Sequence, residues 1–530
     1  MKKYQKRIGA LCVAMILMLT GCQIQPDRGT ETGSSSLKEE KKTESTKSET
    51  TTEQVDIAQE PAEMIRLRIE RQYYEGPDVT EGGTVFFGEY DTLALVDTDP
   101  TTAIGKALED WNADYENEYR MQAAQYADQA KEDMDTVADG MYYYLSSEIK
   151  TERVDSQVVS LRLDNSAYRG GVHGDYWENG ITFDAQNGKQ LALSDLGNIQ
   201  SDLKEYVWQK LKPREEDFFE DGEQTLSEMI RTEDICWYLT GQGVQIVINP
   251  YEMASFAAGQ FRVLVPYQEL SGINERYVPQ EDTKGIEYSS LIMGDDAYEQ
   301  DMDGDGVQDT LFIRTDYEKQ DEMDVVTICY NTSELTLTET LGVASAYICK
   351  ENGTYYLLLT TYGFAEEKTT RLYEFLDGEP VEVFRLEGGE VLGCSQDGVW
   401  TERVFQRLGT YWGHQYYILQ DGILQPASYI CVLANGKDAE YRHGITPKQD
   451  VPARMEQGMD GSLEDSTLRA GITIYPITIQ DHPESGTSTI GFELIDGTYG
   501  ELEVYIDEEG RQYVNGIEQM DLFDDLPYAG

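Results

Sequence analysis

The sequence predicts a multidomain chain in which an α+β module is followed by an antiparallel all-β domain of propeller-like or sandwich form. Three observations carry that expectation. At 530 residues the chain is long enough for more than one core. Between residues 61 and about 275, runs that alternate apolar and polar residues are interrupted by stretches of helical period. Beyond about residue 285 the helical period disappears, and short β-branched and aromatic runs are separated by Asn-Gly or Asp-Gly pairs.

The chain opens with "MKKYQKRIGALCVAMILMLTGC": basic residues, an apolar run from Ile8 to Thr20, then Gly21 and Cys22. A basic start followed by a short apolar run is a secretory leader, and the run is shorter than the roughly 20 residues needed to cross a bilayer. "LTGC" has the form of a bacterial lipoprotein signal. Residues 1–21 are therefore expected to be removed and Cys22 to be lipidated, the alternative being an ordinary cleaved leader beside an incidental cysteine. No second apolar segment of spanning length follows. The expected location is the cell membrane, lipid-anchored and facing the extracellular side and the cell wall.

Residues 22–60 contain no aromatic residue and are dominated by Ser, Thr, Glu and Lys. Such a segment buries too little apolar surface to offset the entropy of ordering, so it reads as a disordered tether. Residues 61–140 form the first part of the α+β module. Strand-like "RLRIERQYY" and "TVFFGEYDTLALVD" precede a long helix that Thr101 or Thr102 can cap, with Ile104, Leu108, Trp111, Tyr115, Tyr119, Tyr126, Ala130 and Met134 along one face. Residues 141–278 continue it. "MYYYLSSEI" and "QVVSLRLDN" read as strands, and "ITFDAQNGKQLALSDL" reads as a hairpin closed by a type I′ turn at Asn187-Gly188. Ile199, Leu203, Val207 and Leu211, spaced by four, mark a second helix. Residues 285–530 make up the β-rich domain.

The chain holds 99 acidic and 42 basic residues, a formal charge of −57 that becomes −61 when the leader removes Lys2, Lys3, Lys6 and Arg7. Such a field repels nucleic acid and anionic lipid, so membrane contact is expected through the lipid alone. It favours cationic partners and divalent metal, although a solubility surface without a chosen partner has the same composition. With Cys12 in the leader and Cys22 lipidated, Cys236, Cys329, Cys349, Cys394 and Cys431 remain, none at Cys-x-x-Cys spacing. They read as buried apolar residues with one or two bridges in the C-terminal half.

The sharpest local signal is "DMDGDGVQD". Alternate residues of a tight loop converge, so carboxylates of Asp301, Asp303 and Asp305, the Val307 carbonyl and Asp309 can build an oxygen cage suited to one Ca²⁺. An EF-hand would need a glutamate at its twelfth position, where Phe312 stands. The loop instead resembles the calcium loops of integrin-type and VCBS-type β repeats; the alternative is an acidic turn that binds nothing. Catalytic signatures are absent from the sequence: no Gly-x-Ser-x-Gly, no His-Glu-x-x-His and no glycine-rich loop opening a helix. No carboxylate pair is singled out, and the 36 tyrosines suit a half-buried sheet as well as a sugar-stacking surface.

At "AYRGGVHGDYWENGITFDAQNGKQLALSDL" the chain closely resembles the extracellular domain shared by RsiV-type anti-sigma factors and the non-catalytic part of PdaC-type peptidoglycan deacetylases. A Tyr-x-Gly-Gly-x-His-Gly core falls on Tyr168, Gly170, Gly171, His173 and Gly174, followed by Phe183, Asp184, Gly188 and Lys189. A later element falls on Pro250, Tyr251, Glu252, Gly259, Pro266, Tyr267, Glu269 and Leu270. The resemblance implies an α+β sensor or binding module at the wall of a Gram-positive-type bacterium and, in the RsiV branch, recognition of lysozyme. The transmembrane helix and sigma-binding segment of that branch are missing, as are the deacetylase motifs of the other. The expectation is thus a non-catalytic surface lipoprotein that binds or senses lysozyme or another cationic wall-associated protein. The rivals are a glycan-acting enzyme using unidentified carboxylates, and a surface scaffold whose β domain captures another protein. For His173, a structural or hydrogen-bonding role leads, ahead of partner contact and of catalysis.

Overall fold

In the computed structural model, which describes residues 65–74, 86–95, 100–133, 143–219, 221–279, 287–290, 297–303, 305–318, 323–337, 340–363, 367–395, 397–435, 442–457, 462–482, 484–507 and 509–528, the chain is largely β with few helices. Cys22, the leader and the tether lie outside the described residues. Alternating runs of the first half become β1 (Leu67–Tyr73), β2 (Phe86–Leu95), β3 (Tyr143–Val154), β4 (Val158–Tyr168) and β5 (Asp175–Asp184), hydrogen-bonded in that order. β2 and β3 pair parallel, which requires a crossover. Helix α1 (Ala103–Glu132) supplies it, capped by Thr102, whose hydroxyl accepts from the Gly105 N–H at 3.1 Å. Ile104 and Leu108 pack with Leu67, Ile69, Leu93, Ile149, Leu161 and Phe183. Tyr119 and Ala123 continue the stripe onto Tyr90 and Leu145. The helix stops at Glu132, and Met134 is not among the described residues.

The predicted four-residue spacing becomes α2 (Gln200–Leu211), with Leu203, Val207 and Leu211 buried. A further helix, α3 (Gly222–Thr232), was not anticipated; it buries only Leu226 and Ile230 in an acidic stretch, too short an apolar signal to read. Both helices lie on a three-stranded antiparallel sheet of β6 (Cys236–Leu239), β7 (Gly243–Ile248) and β8 (Phe261–Pro266). The hairpin expected around Asn187-Gly188 is present in short form, with Phe183 bridging Gln190 antiparallel and backbone bonds joining Asp184 to Lys189 and Leu191 to Thr182, but its turn is not type I′. The turn runs from Asp184 to Lys189, only Gly188 has positive φ (69°), and the Asp184 carboxylate accepts from the Gln186 and Asn187 N–H groups. That side-chain capping replaces a two-residue turn, and Leu193–Leu196 goes on as a short 3₁₀ helix rather than a strand.

The second half contains β9 (Glu287–Ser290), β10 (Tyr298–Gln300), β11 (Asp309–Glu318), β12 (Met323–Tyr330), β13 (Ser333–Leu337), β14 (Val343–Glu351), β15 (Thr354–Tyr362), β16 (Lys368–Leu376) and β17 (Glu379–Glu387). β18 (Gly389–Cys394), β19 (Gly398–Gln406) and β20 (Thr410–Gln420) then begin the largest sheet, whose last strand along the chain ends at Glu518. Sheet β10–β13 packs on one face of the sheet β17-β16-β15-β14-β9, while Val391, Cys394, Val399 and Tyr417 pack on its other face. The result is a stack of sheets, and among the described residues none closes into a barrel or a ring of blades.

Four of the turn pairs behave as their chemistry demands, whereas Asp496-Gly497 has positive φ only at Gly497 and Gly398 of Asp397-Gly398 has none. Asn352-Gly353, Asp377-Gly378, Asp421-Gly422 and Asn515-Gly516 have positive φ at both residues, as a type I′ turn needs. The five cysteines are free; Cys329, Cys349, Cys394 and Cys431 are buried, so the expected bridges are not formed. Residues 60–530 make one compact unit. Its halves are joined by Arg66 bound to Asp397 at 2.6 Å, the Leu67 N–H donating to Ser395 Oγ at 3.0 Å, and the Cys394 N–H donating to Thr151 Oγ1 at 2.9 Å.

Candidate functional site

The two motif elements, far apart in sequence, meet at one end of the α+β module. The first is the β4–β5 connection. Tyr168 stacks beside Tyr144 (ring centroids 6.2 Å apart), and its hydroxyl donates to the Gly171 carbonyl at 3.1 Å. Gly170 sits at φ +78°, and a Cβ there would lie 2.9 Å from the Tyr143 hydroxyl; a Cβ at Gly174 would lie 2.9 Å from the Ala167 carbonyl oxygen. These glycines let the chain turn back tightly and present Val172, 99% exposed, at the tip. His173 is exposed, with Nδ1 2.8 Å from the Gly174 carbonyl. Its ring stacks on Phe256 at 3.9 Å and 12°.

Phe256 belongs to the second element, in the connection between β7 and β8, where it also meets Tyr176 edge-on at 5.3 Å and Tyr251 at 6.0 Å. Pro250 opens this connection and Gly259, at φ +80°, closes its short helical turn. Tyr251 has φ +72°, a costly region for a residue with a side chain. It is held there because its N–H donates to the Ala254 carbonyl and the Glu252 carboxylate accepts from the Asn249 N–H at 2.7 Å and from Nδ2 at 3.3 Å. Asn249 ties the elements together: Oδ1 accepts from the Glu178 N–H and Gln260 Nε2, while Nδ2 donates to the Glu178 carbonyl. The buried Glu178 carboxylate pairs with Arg262. Asp175 pairs with Arg169 at 3.1 Å, and that guanidinium covers the Tyr126 ring.

The outcome is a ledge of His173, Tyr176, Tyr251 and Phe256. Tyr251 is 53% exposed and Tyr176 38%. Pro266 and Tyr267 are not part of it. Pro266 pairs with Gly243 at the start of β7, whereas Asn249 follows the end of that strand, about 20 Å away. Tyr267 is buried, its hydroxyl donating to the Thr240 carbonyl and meeting the buried Arg153. Sequence reasoning missed Phe256, Tyr176 and Asn249. Nothing periodic marks Phe256, and only the pairing of distant loops makes it the floor of a surface.

The acidic loop lies between β10 and β11. Ligand oxygens of Asp301, Asp303 and Asp309 lie within 4.8 Å of one another. That spread matches oxygens around a single ion with bonds of about 2.4 Å. Gly306, at φ +84°, makes the turn, and its N–H donates to Asp301. Asp309 is the anchor. Burial would raise its pKa, but hydrogen bonds from Asn331 Nδ2 at 2.6 Å and the Met302 N–H at 2.8 Å hold the carboxyl below the usual aspartate value. Asp305 differs from expectation: its carboxylate accepts from the Val307 N–H at 2.7 Å and lies outside the cluster. Val307 is exposed.

Residues 194–268 match the family described as DUF3298, a protein of unknown function. The match includes α2 through β8 and the second motif element as far as Tyr267, and begins after the His173 connection. No curated protein matches the chain. Among solved structures, a DUF3298 family member from Bacteroides fragilis NCTC 9343 is 15% identical with a TM-score of 0.30, over 41% of this chain and 96% of that one. A DUF3298 family protein from Pseudomonas aeruginosa PAO1 is 18% identical with a TM-score of 0.26, over 41% and 97%.

Proposed function

We propose that the chain is a surface lipoprotein, anchored through Cys22, whose RsiV-like module binds or senses lysozyme or another cationic wall-associated protein without turning it over. The observation that carries this reading is the exposed ledge of His173, Tyr176, Tyr251 and Phe256 on a chain of formal charge −57. Aromatic rings supply binding area at low entropic cost. An acidic field steers a basic partner and accelerates encounter. The strained Tyr251 fits a residue kept for contact, since the backbone would relax without the Asn249–Glu252 bracket. A calcium ion held by Asp301, Asp303 and Asp309 belongs to the same proposal, as a structural clamp on the β10–β11 loop.

The test is calorimetric titration of residues 60–530 with hen lysozyme at about 50 and 300 mM salt, spanning Debye lengths of roughly 14 to 6 Å, beside a basic control protein. Saturable binding that persists at high salt, is absent with the control, and weakens about tenfold or more in Tyr251→Ala or Phe256→Ala supports the reading. Equal, salt-abolished heats for both proteins would leave charge alone acting and remove it.

A further inference from the structure

The rim between two sheets of the C-terminal half carries a second, chemically different feature. Among the described residues β13 is the last strand of its sheet and β17 the first of its own, and the two strands lie against each other. Between them runs a groove of about 430 Å³. Its walls include Leu335, Leu337, Pro380 and Val381, and its polar lining includes Arg371, Arg385, Glu382 and Tyr373. In a chain with 99 acidic and 42 basic residues, two arginines directly opposite each other on β16 and β17 stand out. Like charges so placed repel, and a carboxylate between them offsets that cost.

Glu382 fills that role. It accepts from Arg385 Nε at 2.8 Å and Nη2 at 3.0 Å, the two-point pairing characteristic of arginine and carboxylate. Arg371 is less well served. Nη1 donates to Thr361 Oγ1 at 2.7 Å, but Nε is 3.6 Å from Glu382, beyond a normal hydrogen bond. Tyr373 is fully buried, and its hydroxyl has no hydrogen-bond partner among the described residues. A buried hydroxyl left so is costly and asks for an acceptor. Glu382 opposes Tyr373 only because β17 bulges at this point, and the glutamate's surface is exposed, leaving it free to swing outward.

We propose that this groove is a carboxylate-binding site, in which the C-terminal carboxylate of an extended, apolar peptide takes the place of the Glu382 side chain. The incoming carboxylate would bridge Arg371 and Arg385 and accept from the Tyr373 hydroxyl. The preceding residues would lie against Leu335, Leu337, Pro380 and Val381, where two strand edges unpaired among the described residues offer backbone groups to an extended chain. The site is independent of the aromatic ledge and of the lysozyme reading.

The experiment is calorimetric titration of residues 60–530 with the acetylated tetrapeptide Val-Thr-Val-Leu, as its free acid and as its C-terminal amide. The acid is expected to bind and the amide to bind at least tenfold more weakly. Arg371→Gln and Arg385→Gln should each weaken the acid about tenfold. Tyr373→Phe, which removes a hydroxyl with no hydrogen-bond partner among the described residues, should weaken it several-fold while leaving the melting temperature unchanged or raised. Glu382→Gln should tighten binding, because it removes the internal carboxylate nearest both arginines and leaves Arg385 only its longer contact to Glu387 at 3.3 Å; a merely structural ion pair would show no such gain. Absence of binding at millimolar peptide, equal affinity of acid and amide, or weaker binding in Glu382→Gln would overturn the proposal.

Discussion

Asp309 shows how much of one residue's behaviour is set by its neighbours. Its carboxylate is anchored by Asn331 and the Met302 N–H, which holds its ligand oxygen within 4.8 Å of those of Asp301 and Asp303. An ion bound there by the folded state alone stabilises that state by mass action. Millimolar Ca²⁺ is therefore expected to raise the melting temperature of residues 60–530 and EDTA to reverse the rise, with Asp303→Ala abolishing both effects. Identical melting curves with calcium and with EDTA would refute the calcium assignment. Asp305→Ala should matter less, since that carboxylate lies outside the cluster of Asp301, Asp303 and Asp309.

At the scale of the element, β15 repays attention because its sequence "TYYLLLTTY" does not alternate. Its alternate residues face different layers: Leu357 and Leu359 pack toward sheet β10–β13, and Leu358 packs toward Val391, Cys394 and Leu419. An unbroken apolar run is the signature of a strand covered on both faces. Leu357→Ala and Leu358→Ala should each cost about 2–5 kcal/mol in denaturant unfolding, the usual range for emptying a fully buried leucine site. A loss below about 1 kcal/mol at either position would mean that one face of β15 is open to solvent.

For the whole molecule, the α+β sheet and the β stack share a boundary. Asp397 receives Arg66 at 2.6 Å and also accepts from the Tyr416 hydroxyl, while the Arg66 guanidinium lies 4.7 Å from the centre of the Tyr416 ring. Both ion-pair side chains are only 20% exposed. Asp397→Ala is expected to destabilise the protein by about 2 kcal/mol, the scale of a lost hydrogen bond to a charged group. It should also broaden or split a single calorimetric transition, as the two halves lose part of their coupling. A sharp, unshifted transition in the variant would show that the boundary contributes nothing to cooperativity.

What the sequence determined by itself were the features encoded between near neighbours. The helical spacing of Ile104, Leu108 and Trp111, the Thr102 cap, the spacing of Leu203, Val207 and Leu211, the paired positive φ angles at Asn352-Gly353 and Asn515-Gly516, and the acidic loop at 301–309 all depend on residues a turn or two apart. Where local chemistry offered two solutions, as at Asn187-Gly188, the side chain of Asp184 decided against the expected turn. Tertiary structure alone decided which loops and edges meet. His173 finds Phe256, Asn249 binds Glu178, and Arg371 and Arg385 face Leu335 and Leu337 across a sheet boundary. Those contacts join segments whose separation along the chain carries no periodic signal, because strand order and sheet stacking are set by the burial of whole faces and not by any single stretch of sequence.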